Sequence, residues 1–209
     1  MSEPRSSARK LLPVVPGVVR WSVKDDRIGG VESCAHAVVR RGSAVLIDPL
    51  PLAASALRRL GRIEAIVLTA ANHQRSAFRL RRELSVPVLA PRGPGVGRAP
   101  GELEEEPDRR YGDRDELPFG LRTIFAPGPA HAMYVLWLPS KRVLFLSDQL
   151  TREARKPPRF VEDSYQDDPA RTRETVRALA ERLPVRVLCF AHGPPVLRGA
   201  REALRAALR

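Results

Sequence analysis

The chain has 209 residues, 43% hydrophobic and 29% charged, a balance that excludes wholesale disorder. Two cysteines exclude a disulfide framework and a cysteine-rich zinc site. The 36 basic residues, of which only four are lysine, outnumber 24 acidic ones for a net charge of +12. That surplus favours acidic partners without requiring one.

No stretch approaches the ~18–20 apolar residues of a membrane span. The opening MSEPRSSARKLLPVVPG has no sustained apolar core, and Pro13 and Pro16 interrupt it. A secretory signal is therefore not expected. The reading is a cytoplasmic protein with a flexible tail over residues 1–12 and a single domain over 13–209.

Val14–Val23 reads as a strand pair broken at Pro16–Gly17. Ala35–Val39 and Ala44–Ile47 flank a hairpin turn at Gly42. Leu52–Leu60 has helical apolar spacing and exits at Gly61. Ala65–Leu68 reads as a buried strand, His73–Leu84 as a helix and Val86–Leu89 as another strand. Residues 91–118 hold five prolines, five glycines and an acidic run at Glu104–Glu106. A loop of that length is expected to be a lid, a binding loop or a mobile insertion.

Leu121–Phe125, Met133–Leu138 and Val143–Leu146 read as three further strands. Asp168–Pro169 opens a helix, with Asp as cap and Pro at its first position. The core face of that helix is Thr172, Val176, Leu179 and Leu183. Val187–Phe190 is the last strand and Ala200–Leu208 the last helix. Strands in groups with helices between them predict an α/β fold of two sheets covered by helices. On the last helix, Arg198, Arg201, Arg205 and Arg209 share one face. No aromatic residue interleaves with them, so a solvated surface is expected rather than a base-stacking platform. Cys34 and Cys189 lie on buried-strand patterns and read as inert core residues.

Chemistry-bearing residues recur at strand ends, where α/β folds build their sites. They are Thr69-Ala70-Ala71-Asn72-His73-Gln74-Arg75, Pro127-Gly128-Pro129-Ala130-His131, Ser147-Asp148-Gln149 and His192-Gly193-Pro194-Pro195. Histidine and carboxylate at strand ends are the donor types of a hydrolytic metal site. Taken singly, each also reads as a cap, a turn or a hydrogen-bonded surface group.

Their order resembles the metallo-β-lactamase superfamily, in particular its small glyoxalase-II-like members, from about Pro16 to Leu208. The resemblance is carried by Pro16–Trp21, Ala44-Val45-Leu46-Ile47-Asp48-Pro49, Asp115–Leu121 before Pro127–Gly128, Val143–Asp148, and His192–Pro195. It implies a four-layer αβ/βα sandwich. It also implies zinc ligands in a Thr-His-x-His-x-Asp-His motif, and there this chain departs. Aligned on Thr69, the ligand positions hold Ala70, Asn72, Gln74 and Arg75, and Pro129 follows Gly128 where the family has histidine. Asp148 and His192 match.

Ala and Pro donate nothing to a metal, Asn and Gln are weak donors for zinc, and Arg75 adds a permanent positive charge. The expectation is a fold member that has lost most zinc ligands. It would be non-hydrolytic or metal-independent, with no cofactor, and would bind a small anionic ligand. Asp148 and His192 are the candidate catalytic residues, and Asn72, His73, Arg75 and His131 the candidate ligand-binding ones. Without a metal, Arg75 is expected to pair with Asp148. The alternatives are a hydrolase of an ester or thioester with one zinc on His73, Asp148 and His192, and a nucleic-acid-binding protein. No membrane partner is expected, and net charge alone admits nucleic acid.

Overall fold

Alternation in Val18–Asp25 and Val31–Arg40 puts Trp21, Val23, Ala35 and Ala37 on one side of their strands and Arg20, Cys34, His36 and Val38 on the other. The computed structural model describes residues 3–97, 99 and 101–209. Residues 1 and 2 of the expected tail, and 98 and 100 of the expected long loop, lie outside the described residues. The chain, read from sequence as one domain, divides into two units, Met1–Tyr111 and Gly112–Arg209.

The first unit carries a seven-stranded sheet in sequential order: β1 (Leu12–Val15), β2 (Val18–Asp25), β3 (Val31–Arg40), β4 (Ser43–Ile47), β5 (Arg62–Val67), β6 (Val88–Pro91) and β7 (Arg109–Tyr111). β1 to β4 pair antiparallel and β4 to β7 parallel. The parallel connections contain α1 (Ala54–Arg58) and α2 (Ala77–Leu84). Trp21, Leu46, Ile66, Leu68, Phe78 and Leu80 form one buried cluster. Each such side chain contributes about 1.5–3 kcal/mol by leaving water. The indole N–H of Trp21 donates to the Leu50 carbonyl at 3.0 Å, so its polar atom is satisfied inside the core.

The second unit carries a five-stranded sheet in the order β12-β11-β10-β9-β8. These strands are β8 (Glu116–Leu117), β9 (Leu121–Phe125), β10 (Tyr134–Leu138), β11 (Val143–Phe145) and β12 (Val187–Cys189). Only β11 and β12 pair in parallel. Helices α3 (Pro169–Arg182) and α4 (Ala200–Ala207) bury Val176, Leu179, Ala180 and Leu204 with Leu144, Leu188 and Phe190. The Asp168 carboxylate accepts from the Arg171 N–H at 2.9 Å and Pro169 follows it, so α3 is capped as its sequence requires.

Four sequence expectations differ from the structure. The helix expected from His73 begins at Ala77; residues 71–73 form a 3-10 turn, and Arg75 at φ 41° breaks the helical path. The stretch 91–118 is not structureless: it contains β7 and β8 and buries Leu103 and Tyr111 completely. The Tyr111 hydroxyl donates to the Leu68 carbonyl, tying that stretch to the end of β5. In the expected tail, the Glu3 carboxylate accepts from Ser76 and Arg79, and the Ala8 N–H donates to the Pro51 carbonyl. Arg201 leaves the basic face of α4, is half-buried, and donates toward the Ala180 carbonyl at 3.5 Å, while Arg198, Arg205 and Arg209 are exposed.

Candidate functional site

In the first unit the site grows from the ends of β4 and β5. The chain leaves β4 through Asp48 at φ 47°, in the left-handed region, and its N–H donates to the Val67 carbonyl of β5 at 3.0 Å. This turns the Asp48 carboxylate toward Thr69. One oxygen accepts from the Thr69 N–H at 2.7 Å and the other from the Thr69 hydroxyl at 2.6 Å. The second oxygen also lies 3.1 Å from Nδ1 of His73, and Thr69 Oγ1 lies 3.1 Å from the same nitrogen. Asp48, Thr69 and His73 are 4%, 1% and 2% exposed, so these bonds form away from water.

The network sets the tautomer of His73. The Thr69 hydroxyl points its proton at Asp48, so both oxygens facing Nδ1 act as acceptors. Nδ1 is therefore the nitrogen assigned a proton in this network. A carboxylate on one imidazole nitrogen orients the ring and makes the other nitrogen more basic.

Arg75 is buried rather than turned outward like Arg79 and Arg82. Its Nη1 donates to the carbonyls of Cys34 at 2.8 Å and Asp48 at 3.2 Å. The guanidinium thus clamps β3 to the exit of β4. Gln74 spends both ends of its amide on the stretch after β6: Nε2 donates to the Glu102 carbonyl at 3.2 Å, and Oε1 accepts from the Glu104 N–H at 2.7 Å. Asn72 lies in the 3-10 turn between Thr69 and these two residues.

His36 sits on β3 opposite Arg20 of β2 and is also buried. Burial pushes its imidazole down to about 3, and the nearby charges of Arg20 and Arg75 add to this against the pull of Asp48. His36 is therefore neutral at pH 7.

In the second unit, parallel pairing of β11 with β12 brings the ends of both strands side by side. The Leu146 N–H donates to the Cys189 carbonyl at 2.8 Å, and Ser147 follows at φ 53°. Asp148 and His192 leave these two ends, and Asp148 Oδ1 lies 3.4 Å from His192 Nε2. Their side chains are 15% and 17% exposed.

The His192 carbonyl accepts from the Arg152 N–H at 3.0 Å and the Thr151 hydroxyl at 3.2 Å. Gly193 allows this approach: it is at φ 97°, and a Cβ there would lie 1.6 Å from the Arg152 carbonyl oxygen. Gln149 is fully buried and donates to the Ala126 carbonyl at 2.5 Å, joining the end of β11 to the end of β9. His131 is exposed after β9, and its backbone N–H donates to the Asp167 carboxylate at 2.8 Å.

The sequence-predicted residues therefore gather as His73 and Arg75 about Asp48 in the first unit, and as Asp148 with His192 in the second. Sequence reasoning treated Asp48 as a turn residue only. The available signal was a carboxylate directly after an apolar strand and before proline.

No protein-family model matches the chain, and no curated protein matches it. Solved structures do. The metallo-β-lactamase from Pontibacter korlensis matches at a TM-score of 0.75 and 17% identity, over 95% of this chain and 98% of that one. DIM-1 metallo-β-lactamase exposed to ceftazidime matches at 0.74 and 14%, over 97% of each chain. FIM-1 from Pseudomonas aeruginosa, in its mono-zinc form, matches at 0.73 and 16%, over 100% of this chain and 97% of that one. With two mixed sheets, helices within each unit and this length of match, the chain has the metallo-β-lactamase fold.

Proposed function

We propose that the chain is a metallo-β-lactamase-fold protein without the two-zinc hydrolytic centre, and that it binds a small anionic ligand without hydrolysing it. The observation that carries this reading is how Gln74 and Arg75 are used. Both stand at zinc-ligand positions in the alignment on Thr69, and both are engaged by backbone of their own unit. Ala70 and Pro129, at two further ligand positions, have no donor atom. These residues do not fit a three-histidine zinc site, which needs imidazoles with open lone pairs. Arg75 also puts a fixed cation where the family has a ligand, and a second cation there is repelled.

The same residue supports an anionic ligand. The carbonyls of Cys34 and Asp48 hold the guanidinium in place, and a guanidinium keeps its charge at any pH the protein meets. Asn72 and His73 supply a carboxamide and an oriented imidazole on the same short stretch. His131 is proposed as a further contact from its exposed loop.

Two measurements test the reading. Elemental analysis of protein purified without added zinc or chelator is expected to find less than one zinc per chain. A calorimetric screen with inorganic phosphate and short carboxylates is expected to find binding that Arg75→Gln weakens. Stoichiometric zinc, lost in His192→Ala and accompanied by chelator-sensitive ester or thioester hydrolysis, would overturn it in favour of a metal-dependent hydrolase.

A further inference from the structure

One end of the first unit concentrates unmatched positive charge. Arg40 and Arg41 lie at the β3–β4 turn, Arg58 and Arg59 at the end of α1, and Arg62 at the start of β5; all five are exposed. Backbone contacts bring these three places together. The Arg62 N–H donates to the Gly42 carbonyl at 3.0 Å, and the Gly61 N–H to the Arg58 carbonyl at 3.2 Å. Gly61 is at φ 81°, and a Cβ there would lie 2.0 Å from the Gly42 oxygen. The turn can close on the α1–β5 loop only because that position is glycine.

Elsewhere in this unit many arginines are matched by carboxylates, although Arg9, Arg92 and Arg109 make no ion pair among the described residues. Arg27 pairs with Asp25, Arg79 with Glu3 and Glu83, Arg81 with Asp108, and Arg82 with Glu105. At this end only Arg62 has such a partner, Glu64 at 3.2 Å. Among the described residues Arg40, Arg41, Arg58 and Arg59 make no ion pair. The one carboxylate between residues 40 and 62 is Asp48, which is buried.

We infer that this end of the first unit is a docking surface for the phosphate backbone of a nucleic acid duplex, bound without base reading. Four exposed guanidiniums on two adjoining backbone segments suit phosphates, which arginine engages in a bidentate way. Residues 40–62 contain no aromatic side chain to stack on bases, so the contacts position the chain and carry no sequence information. They also include none of the exposed large apolar side chains of the described residues. Insertion into a lipid surface would need such groups. The surface is separate from the residues of the proposed ligand site.

The test is fluorescence anisotropy with a labelled duplex of about 20 base pairs, titrated at stepped salt. Two variants remove equal charge. One carries Arg40→Gln, Arg41→Gln, Arg58→Gln and Arg59→Gln; the other Arg186→Gln, Arg198→Gln, Arg205→Gln and Arg209→Gln, all exposed positions. Unfolding curves verify that both stay folded. The first is expected to weaken binding at least about tenfold near 100 mM salt, and to flatten the log–log salt slope by about 3. The second is expected to change affinity less than about threefold. Equal weakening by both sets would assign the effect to net charge and overturn the inference. So would an unmodified protein that ignores the duplex at low salt. Loss by the first variant of binding to phosphatidylserine vesicles, with duplex binding intact, would overturn it in favour of a membrane surface.

Discussion

Replacing Asp48 by Asn tests the network that holds His73. Asn keeps the size of the side chain and is among the residues that best tolerate the left-handed conformation found here at φ 47°. The backbone cost of the change is therefore small. Its oxygen can still accept from the Thr69 N–H, now at 2.7 Å. Its NH₂ group, however, faces Thr69 Oγ1 and His73 Nδ1 where a carboxylate oxygen accepted from them. The Thr69 hydroxyl can rotate away and accept instead. The imidazole loses its carboxylate acceptor and, by moving its proton from Nδ1 to Nε2, can accept from the new NH₂ group at Nδ1.

Hydrogen bonds to charged groups are worth roughly 1.5–3 kcal/mol and neutral ones about 1. With one bond kept in weakened form and two reversed, Asp48→Asn should destabilise the fold by about 2–3 kcal/mol. Urea unfolding at pH 7 reads this as a fall in midpoint with an unchanged slope. Imidazole ¹⁵N shifts read the tautomer: His73 should change from Nδ1–H to Nε2–H. A variant as stable as the parent, with the proton still on Nδ1, would refute the assigned network.

Three further outcomes follow from buried groups and close backbone contacts. Burial alone would raise the Asp25 carboxyl, but hydrogen bonds from Arg27 and Ser33 and the Arg27 charge outweigh it and hold the group at about 2. Its folded value lies below 3.8, so its contribution of about 2 kcal/mol is complete above pH ~4 and fades as pH falls toward 2; Asp25→Asn should cost that much at pH 7 and little at pH 2, read by chemical unfolding. His36 is held at about 3 against an ordinary 6.5, so between those values the unfolded chain takes up a proton that the folded one refuses. Stability should therefore fall as pH drops from 6.5 toward 3, and His36→Gln should flatten that slope. Gly193→Ala places a Cβ 1.6 Å from the Arg152 carbonyl oxygen at φ 97°, so thermal unfolding should show a loss of at least about 2 kcal/mol together with a shifted His192 NMR signal.

Most of the fold was legible because its strands are short, apolar and bounded by turn residues. Leu121–Phe125 is the strand that its pattern predicts, and α3 begins where Asp168 and Pro169 place it. What failed to read was structure made by distant pairing. β7 consists of Arg109, Arg110 and Tyr111, which no hydrophobic alternation marks. It exists because the parallel edge of β6 is open to it and because Tyr111 can bury its ring with the hydroxyl on Leu68. Proline and glycine density announced a loop there, and such density records local backbone freedom only. The start of α2 failed for a related reason, since the apolar spacing from His73 is helical while Arg75 adopts a backbone that no helix permits.

The site was legible as residue types and not as roles. Asp148 and His192 could be named because they stand at strand ends and match the motifs that carry the resemblance, and the structure sets them 3.4 Å apart. Asp48 could not, because its work is done on residues 21 and 25 positions away. Nor could the fate of Gln74 and Arg75 be read. A polar residue at a ligand position can face a ligand, water or backbone, and the choice depends on which carbonyls and N–H groups the fold leaves without partners. Here the carbonyls of Cys34, Asp48 and Glu102 and the N–H of Glu104 claim those two side chains. For Arg75 this makes it costlier to turn the side chain toward a metal, because the buried carbonyls of Cys34 and Asp48 would each lose a partner at about 1–3 kcal/mol. On the proposed reading, Arg75→His alone should still leave less than one zinc per chain by elemental analysis: it would remove the clamp between β3 and β4 while Ala70 and Pro129 offered no donor.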